Sequence, residues 1–162
     1  MSRVISGRPY LGSAHEAGRL LLGELYRETT GEEMPPLAVT EFGKPYFPGG
    51  TLHCSITHTP YHVFCALSTE NVGIDAEELT RQIDPRLARR ILSPEELTQY
   101  QSAKDRNLAL LTFWVLKEAY GKFLGKGLSY PLKSTCFSLN DPRIQIIDGC
   151  VLAVWEENRN AI

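Results

Sequence analysis

A mixed α+β fold is predicted by three observations. Apolar residues recur at helical spacing in two stretches, they form short strand-like runs in others, and Gly and Pro separate the two kinds of segment. With 162 residues, 43% of them apolar and 22% charged, the chain has the size and balance of one globular domain. That composition excludes a collagenous, coiled-coil or mainly disordered chain.

The elements follow in order. Ser13 and Glu16 have the spacing of a capping box, and Leu20, Leu21, Leu22 and Leu25 supply an apolar face, so a helix is predicted over about 14–28, ended by Thr29-Thr30-Gly31. Pro35-Pro36 precedes a short strand over 37–40, and Gly43-Lys44-Pro45 and Pro48-Gly49-Gly50 read as turns. Strands are predicted over 52–57 and 63–68, joined through His58-Thr59-Pro60-Tyr61, and over 72–77. Asp84-Pro85 reads as an N-cap with Pro at the first helical position, opening a helix to about Leu92. Ser93-Pro94-Glu95-Glu96 repeats the signal with a capping-box glutamate. A long helix over about 106–124 stops at Gly125 and Gly127, and three strands are predicted in the tail, at 135–139, 144–147 and 150–155.

Seventeen Lys+Arg against nineteen Asp+Glu give a net charge of −2, which argues against sequence-blind nucleic-acid binding. The four cysteines form no C-x-x-C pair, and the first twelve residues hold no apolar stretch of signal-peptide length. The longest nearly apolar run, 108–116, is far short of the roughly 20 residues of a membrane span. Reduced thiols in a soluble cytoplasmic protein are the expectation.

Two constellations point to chemistry. Asp75 and Glu77 lie two apart at a strand end, so both leave one face, behind Val72-Gly73-Ile74 with its close-approach glycine. Paired carboxylates repel unless a cation joins them, and their oxygens suit a hard ion such as Mg²⁺. Glu118 and Lys122 are i,i+4 on the long helix, Gly121 leaves that face open, and Trp114 lies one turn earlier on the same stripe. Lys122 is then available to a phosphate. Taken singly, each pair reads more readily as a solvated strand edge or a surface ion pair.

His53, Cys54, His58, His62 and Cys65 are zinc-type ligands within thirteen residues, but strand alternation separates them and no spacing fits a closed site. Core cysteines and a turn histidine account for them. Gly43-Lys44-Pro45 lacks the first glycine and the Ser or Thr of a P-loop.

Phe42-Gly43-Lys44-Pro45, Ser55-Ile56-Thr57-His58-Thr59, Val72-Gly73-Ile74-Asp75-Ala76-Glu77 and Trp114-Val115-Leu116-Lys117-Glu118-Ala119-Tyr120-Gly121-Lys122 occur in the order and spacing of a known family. Together with Gly125-Lys126-Gly127-Leu128, they make the chain resemble the Sfp-type phosphopantetheinyl transferases over roughly residues 13–132. The resemblance implies a fold of two similar α+β halves, approximately 1–70 and 71–162, with the first half truncated by loss of its opening strand and loop, and a tail short by about a hairpin. It implies transfer of the phosphopantetheine arm of coenzyme A to a carrier-protein serine. By position, Asp75, Glu77 and Glu118 would hold Mg²⁺, Glu118 would accept the serine proton, and Lys122 would stabilise the pyrophosphate. Lys44, Thr57 and His58 match positions that contact the nucleotide phosphates, with Arg19 assisting.

The implied partner is an acidic acyl or peptidyl carrier protein, served by a monomer or a homodimer. Arg81, Arg86, Arg89 and Arg90 cluster after the Asp75–Glu77 strand and form a candidate docking patch for it, although a solvated helix face has the same charge. The alternative to an enzyme is a non-catalytic relative that binds coenzyme A or the carrier.

Overall fold

The computed structural model describes residues 3–157. Strand β1 (Val4–Pro9) leads into helix α1 (Ala14–Thr30), followed by the two-residue strands β2 (Ala38–Val39) and β3 (Pro45–Tyr46) and the hairpin β4 (His53–His58) and β5 (His62–Ser68). Strand β6 (Val72–Glu78) leads into α2 (Leu87–Ile91), α3 (Pro94–Ser102) and α4 (Arg106–Leu124), then two short 3₁₀ turns and the hairpin β7 (Ile144–Ile147) and β8 (Cys150–Glu156). The two principal sheets are antiparallel, with orders β1-β5-β4 and β6-β8-β7. In each, a strand and a helical segment are followed by a hairpin whose second strand lies in the middle.

Alternation within the strands builds three cores. Val63, Cys65 and Leu67 of β5 pack with Leu21, Leu22 and Leu25 of α1, while Phe64 and Ala66 on the other face join Val72, Ile74 and Ala76 of β6 and Cys150, Leu152 and Val154 of β8. Val151 and Ala153 of β8 pack with α4. Gly73 is needed here: a Cβ would overlap the backbone of Ala119 and Phe123, so its absence lets α4 lie directly on β6. Among the described residues, no helix is long and apolar enough to cross a membrane.

The helix signals have physical counterparts. Ser13 Oγ accepts from the Glu16 amide at 3.2 Å, and α1 ends at Gly31 in the left-handed region, φ 78°. The Ser93 and Glu96 side chains cap each other's amides at 3.2 and 2.8 Å. Helix α4 spans the expected residues between Asp105, which caps the Leu108 amide at 2.9 Å, and the left-handed Gly125.

Three expectations are corrected. A strand, β1, forms near the start of the chain where none was expected. Its sequence, VISGRP, alternates poorly, and it forms because it supplies hydrogen-bond partners to one side of β5, with Gly7 accommodating the Phe64 ring. Residues 135–139 form no strand. Their backbone is held by side chains of α3: Phe137 N donates to Glu96 Oε2 at 2.9 Å and Leu139 N to Gln99 Oε1 at 3.1 Å. Asp84 is not the N-cap of α2. It closes a turn on the Arg86 amide at 2.9 Å, and the helix begins at Leu87.

Candidate active site

The seam between β4 and β6, under α4, gathers most of the residues singled out by the sequence. Ser55 Oγ accepts from Ile74 N at 3.1 Å, which joins the two sheets. Two residues along, Thr57 Oγ1 donates to Asp75 Oδ1 at 3.0 Å, and Lys122 Nζ donates to the same oxygen at 2.9 Å. Asp75 is buried and Lys122 is about a third exposed, so the ion pair bridges core and surface. Because Gly73 draws α4 onto β6, Glu118 and Lys122 are brought to the face that carries Asp75 and Glu77.

Glu118, Lys122 and Lys44 line one cleft of about 160 Å³ with Ser55 and Gly125. Burial pushes the Glu118 carboxyl up to about 7, reinforced by the negative charges of Asp75 and Glu77 and opposed by Lys122. Burial also raises Glu77, with Arg81 acting against it. Arg81 pairs with Glu77 and lies 5.9 Å from the centre of the Trp114 ring. Lys44 Nζ donates to Asn71 Oδ1 at 2.6 Å and to the Phe123 carbonyl at 3.2 Å, and burial lowers its pKa.

The remaining predicted residues are placed differently. The Thr57 hydroxyl is buried against Asp75 instead of facing the cleft. His58 lines a neighbouring cleft of about 520 Å³ with Tyr10, Thr59, Glu77, Glu78 and Arg81. Arg19 lines a third cleft, on α1. Gly121 does not open the helix face: a Cβ would strike the Gly127 carbonyl, so the glycine admits the following turn. The cluster His53, Cys54, His58, His62 and Cys65 does not converge as a set.

As a metal centre, Asp75, Glu77 and Glu118 offer an all-oxygen donor set whose mutual repulsion a hard cation relieves. The oxygens are not drawn to a single point, since Lys122 holds Asp75 and Arg81 holds Glu77. Among the described residues, the set of three whose ligand atoms all lie within 4.8 Å of one another is His62, Glu78 and Cys150.

Sequence reasoning missed Lys117. It is fully buried, paired with Glu96 at 2.8 Å, and it donates to the Leu132 carbonyl at 2.7 Å. It also missed Asn71, which bonds both Lys44 and the end of α4. Each partner is fifteen or more residues away, so no local pattern signals these contacts.

A carboxylate-and-lysine cleft at the junction of a strand and a long helix defines a candidate phosphate-handling site. The chain matches the model of the 4'-phosphopantetheinyl transferase superfamily over residues 71–155, and it belongs to that family. It is 32% identical over 148 residues to a 4'-phosphopantetheinyl transferase of Bacillus subtilis, covering 83% of this chain and 65% of the relative. It is 38% identical over 98 residues to 4'-phosphopantetheinyl transferase Sfp of Bacillus subtilis (strain 168), covering 58% and 43%. A holo-[acyl-carrier-protein] synthase of Sodalis glossinidius is 35% identical over 92 residues, 50% of this chain and 73% of that protein. The chain thus spans less than two thirds of the length of the transferases named first.

Proposed function

We propose that this chain transfers the 4'-phosphopantetheine group of coenzyme A to a serine hydroxyl of an acyl or peptidyl carrier protein, releasing adenosine 3',5'-bisphosphate. The observation that carries the reading is the single cleft lined by Glu118, Lys122 and Lys44, with Asp75 bonded to Lys122 beneath it. The relatives' names give the group transferred, 4'-phosphopantetheinyl, and for the Sodalis protein an acyl carrier protein as the product's protein part.

In the proposed reaction the serine oxygen bonds to the phosphorus that carries the pantetheine, and the bond from that phosphorus to the bisphosphate oxygen breaks. The serine proton passes to Glu118, whose raised pKa near 7 suits a group that must accept a proton at neutral pH. Lys122 and Lys44 supply positive charge to the phosphates, and Thr57 holds Asp75 in place. The donor set Asp75, Glu77 and Glu118 suits Mg²⁺, which when bound neutralises charge on the phosphate oxygens. His58 is proposed to contact coenzyme A from the adjoining cleft, with Arg19 a more distant contributor. We read the shared strand order of the two sheets as a duplicated unit, with halves near 1–70 and 71–162.

The test is the intact mass of an apo acyl carrier protein after incubation with the chain, coenzyme A and Mg²⁺. A gain of one phosphopantetheine, absent with Glu118→Ala and with a chelator, supports the reading. No gain across several carriers, alongside measurable coenzyme A binding, would favour a non-catalytic relative.

A further inference from the structure

His62 on β5, Glu78 on β6 and Cys150 on β8 come together where the two sheets face each other, on the side of β6 opposite Asp75 and Glu77. His62 Nδ1 lies 2.7 Å from Glu78 Oε1 and 3.6 Å from Cys150 Sγ. Cys150 is fully buried, Glu78 is buried, and the His62 side chain is only 16% exposed. We propose that these three side chains form a site for a borderline-soft divalent cation, zinc, separate from the three-carboxylate set.

The arrangement of donor atoms carries the inference. In a nucleophile–base–acid relay, the imidazole engages its two partners through different ring nitrogens. Here both contacts fall on Nδ1, so the sulfur, nitrogen and oxygen converge instead of lying in series. Tetrahedral zinc with ordinary bond lengths separates a thiolate sulfur from an imidazole nitrogen by about 3.6 Å. The observed sulfur–nitrogen distance already has that value. The nitrogen–oxygen edge would be about 3.3 Å, so the His62–Glu78 contact opens by roughly half an ångström on binding.

Ligand chemistry gives the selectivity. A thiolate, an imidazole and a carboxylate favour zinc, whereas Mg²⁺ takes oxygen donors. Thr59 Oγ1 donates to Glu78 Oε1 and also accepts from the His62 amide at 2.9 Å, which orients two of the three ligands. Glu78 lines the cleft of about 520 Å³ shared with His58 and Tyr61, which provides an entry path and room for a water as fourth ligand. Binding releases the thiol proton of Cys150 and ties β5 of one sheet to β6 and β8 of the other.

Cobalt(II) is the probe, titrated into the full chain with excess Mg²⁺ present. The expected result is one equivalent bound, with a near-ultraviolet sulfur-to-cobalt band and the intense visible bands of a tetrahedral ion, both bleached by zinc. The band should persist in Cys136→Ala, which removes the exposed cysteine, and vanish in Cys150→Ala. His62→Asn should weaken zinc at least tenfold and reduce the zinc-induced rise in Tm accordingly, with far-UV circular dichroism checking each variant's fold. No sulfur-to-cobalt band in the unaltered chain, or a band indifferent to Cys150→Ala, would overturn the proposal. The unaltered chain supplies the first of these outcomes without any variant.

Discussion

Glu118 carries the most chemistry per atom in the site, because burial and several neighbouring charges meet on it. Burial comes first, then the charge of Asp75, with Lys122 opposing. Its folded-state pKa of about 7 lies above the ordinary 4.5, so the fold favours the protonated carboxyl. The stability tied to that proton is fully present below pH 4.5 and is lost as pH rises through about 7. Glu118→Gln mimics the protonated form. Without metal, the variant should therefore melt above the parent at pH 8, with the gap closing toward pH 4.5. Thermal melts across that range check the expectation, and equal Tm values at pH 8 would contradict it. Asp75, Glu77, Glu118 and Lys122 were legible in the sequence because their relations are local, two or four residues apart. The Thr57–Asp75 and Lys44–Asn71 bonds were not, since they join residues 18 and 27 positions apart.

At the scale of elements, capping and periodicity were read correctly where the signals lie within one turn, as in α3 and α4. They failed where a partner decides. Strand β1 exists through β5, and 135–139 is held by Glu96 and Gln99. Behind that segment stands the buried Lys117–Glu96 pair, which joins α4 to α3 and to the chain before β7. Lys117→Met would leave the Glu96 carboxylate buried without its cation, a loss of about 3–5 kcal/mol for such pairs. Adding Glu96→Gln removes the orphaned charge and should recover part of that stability. Urea unfolding of the single and double variants measures both values. A single variant as stable as the parent would contradict this account of the pair.

For the molecule as a whole, the arginine-rich surface beside the site divides into two classes. Arg81 is occupied by Glu77 and Arg86 by Asp84, while Arg89 and Arg90 are exposed on α2. Docking of an acidic carrier, on the proposed function, therefore falls to Arg89 and Arg90. Reversing both to Glu should raise the carrier KM about tenfold or more and leave coenzyme A binding intact, since like-charge contacts across an interface cost several kcal/mol. Steady-state kinetics with the carrier varied is the check, and an unchanged KM would remove the patch from the interface.

The sequence by itself determined the α+β class, the start of α3, the bounds of α4, and the candidate set Asp75, Glu77, Glu118 and Lys122. Each of these depends on spacing or capping within a few residues. Tertiary structure alone decided that β1 completes the first sheet, that Lys117 is sealed against Glu96, and that His62, Glu78 and Cys150 meet. Those outcomes depend on strand register and on helix-to-sheet approach at Gly73, where residues distant in the chain share one low-dielectric space.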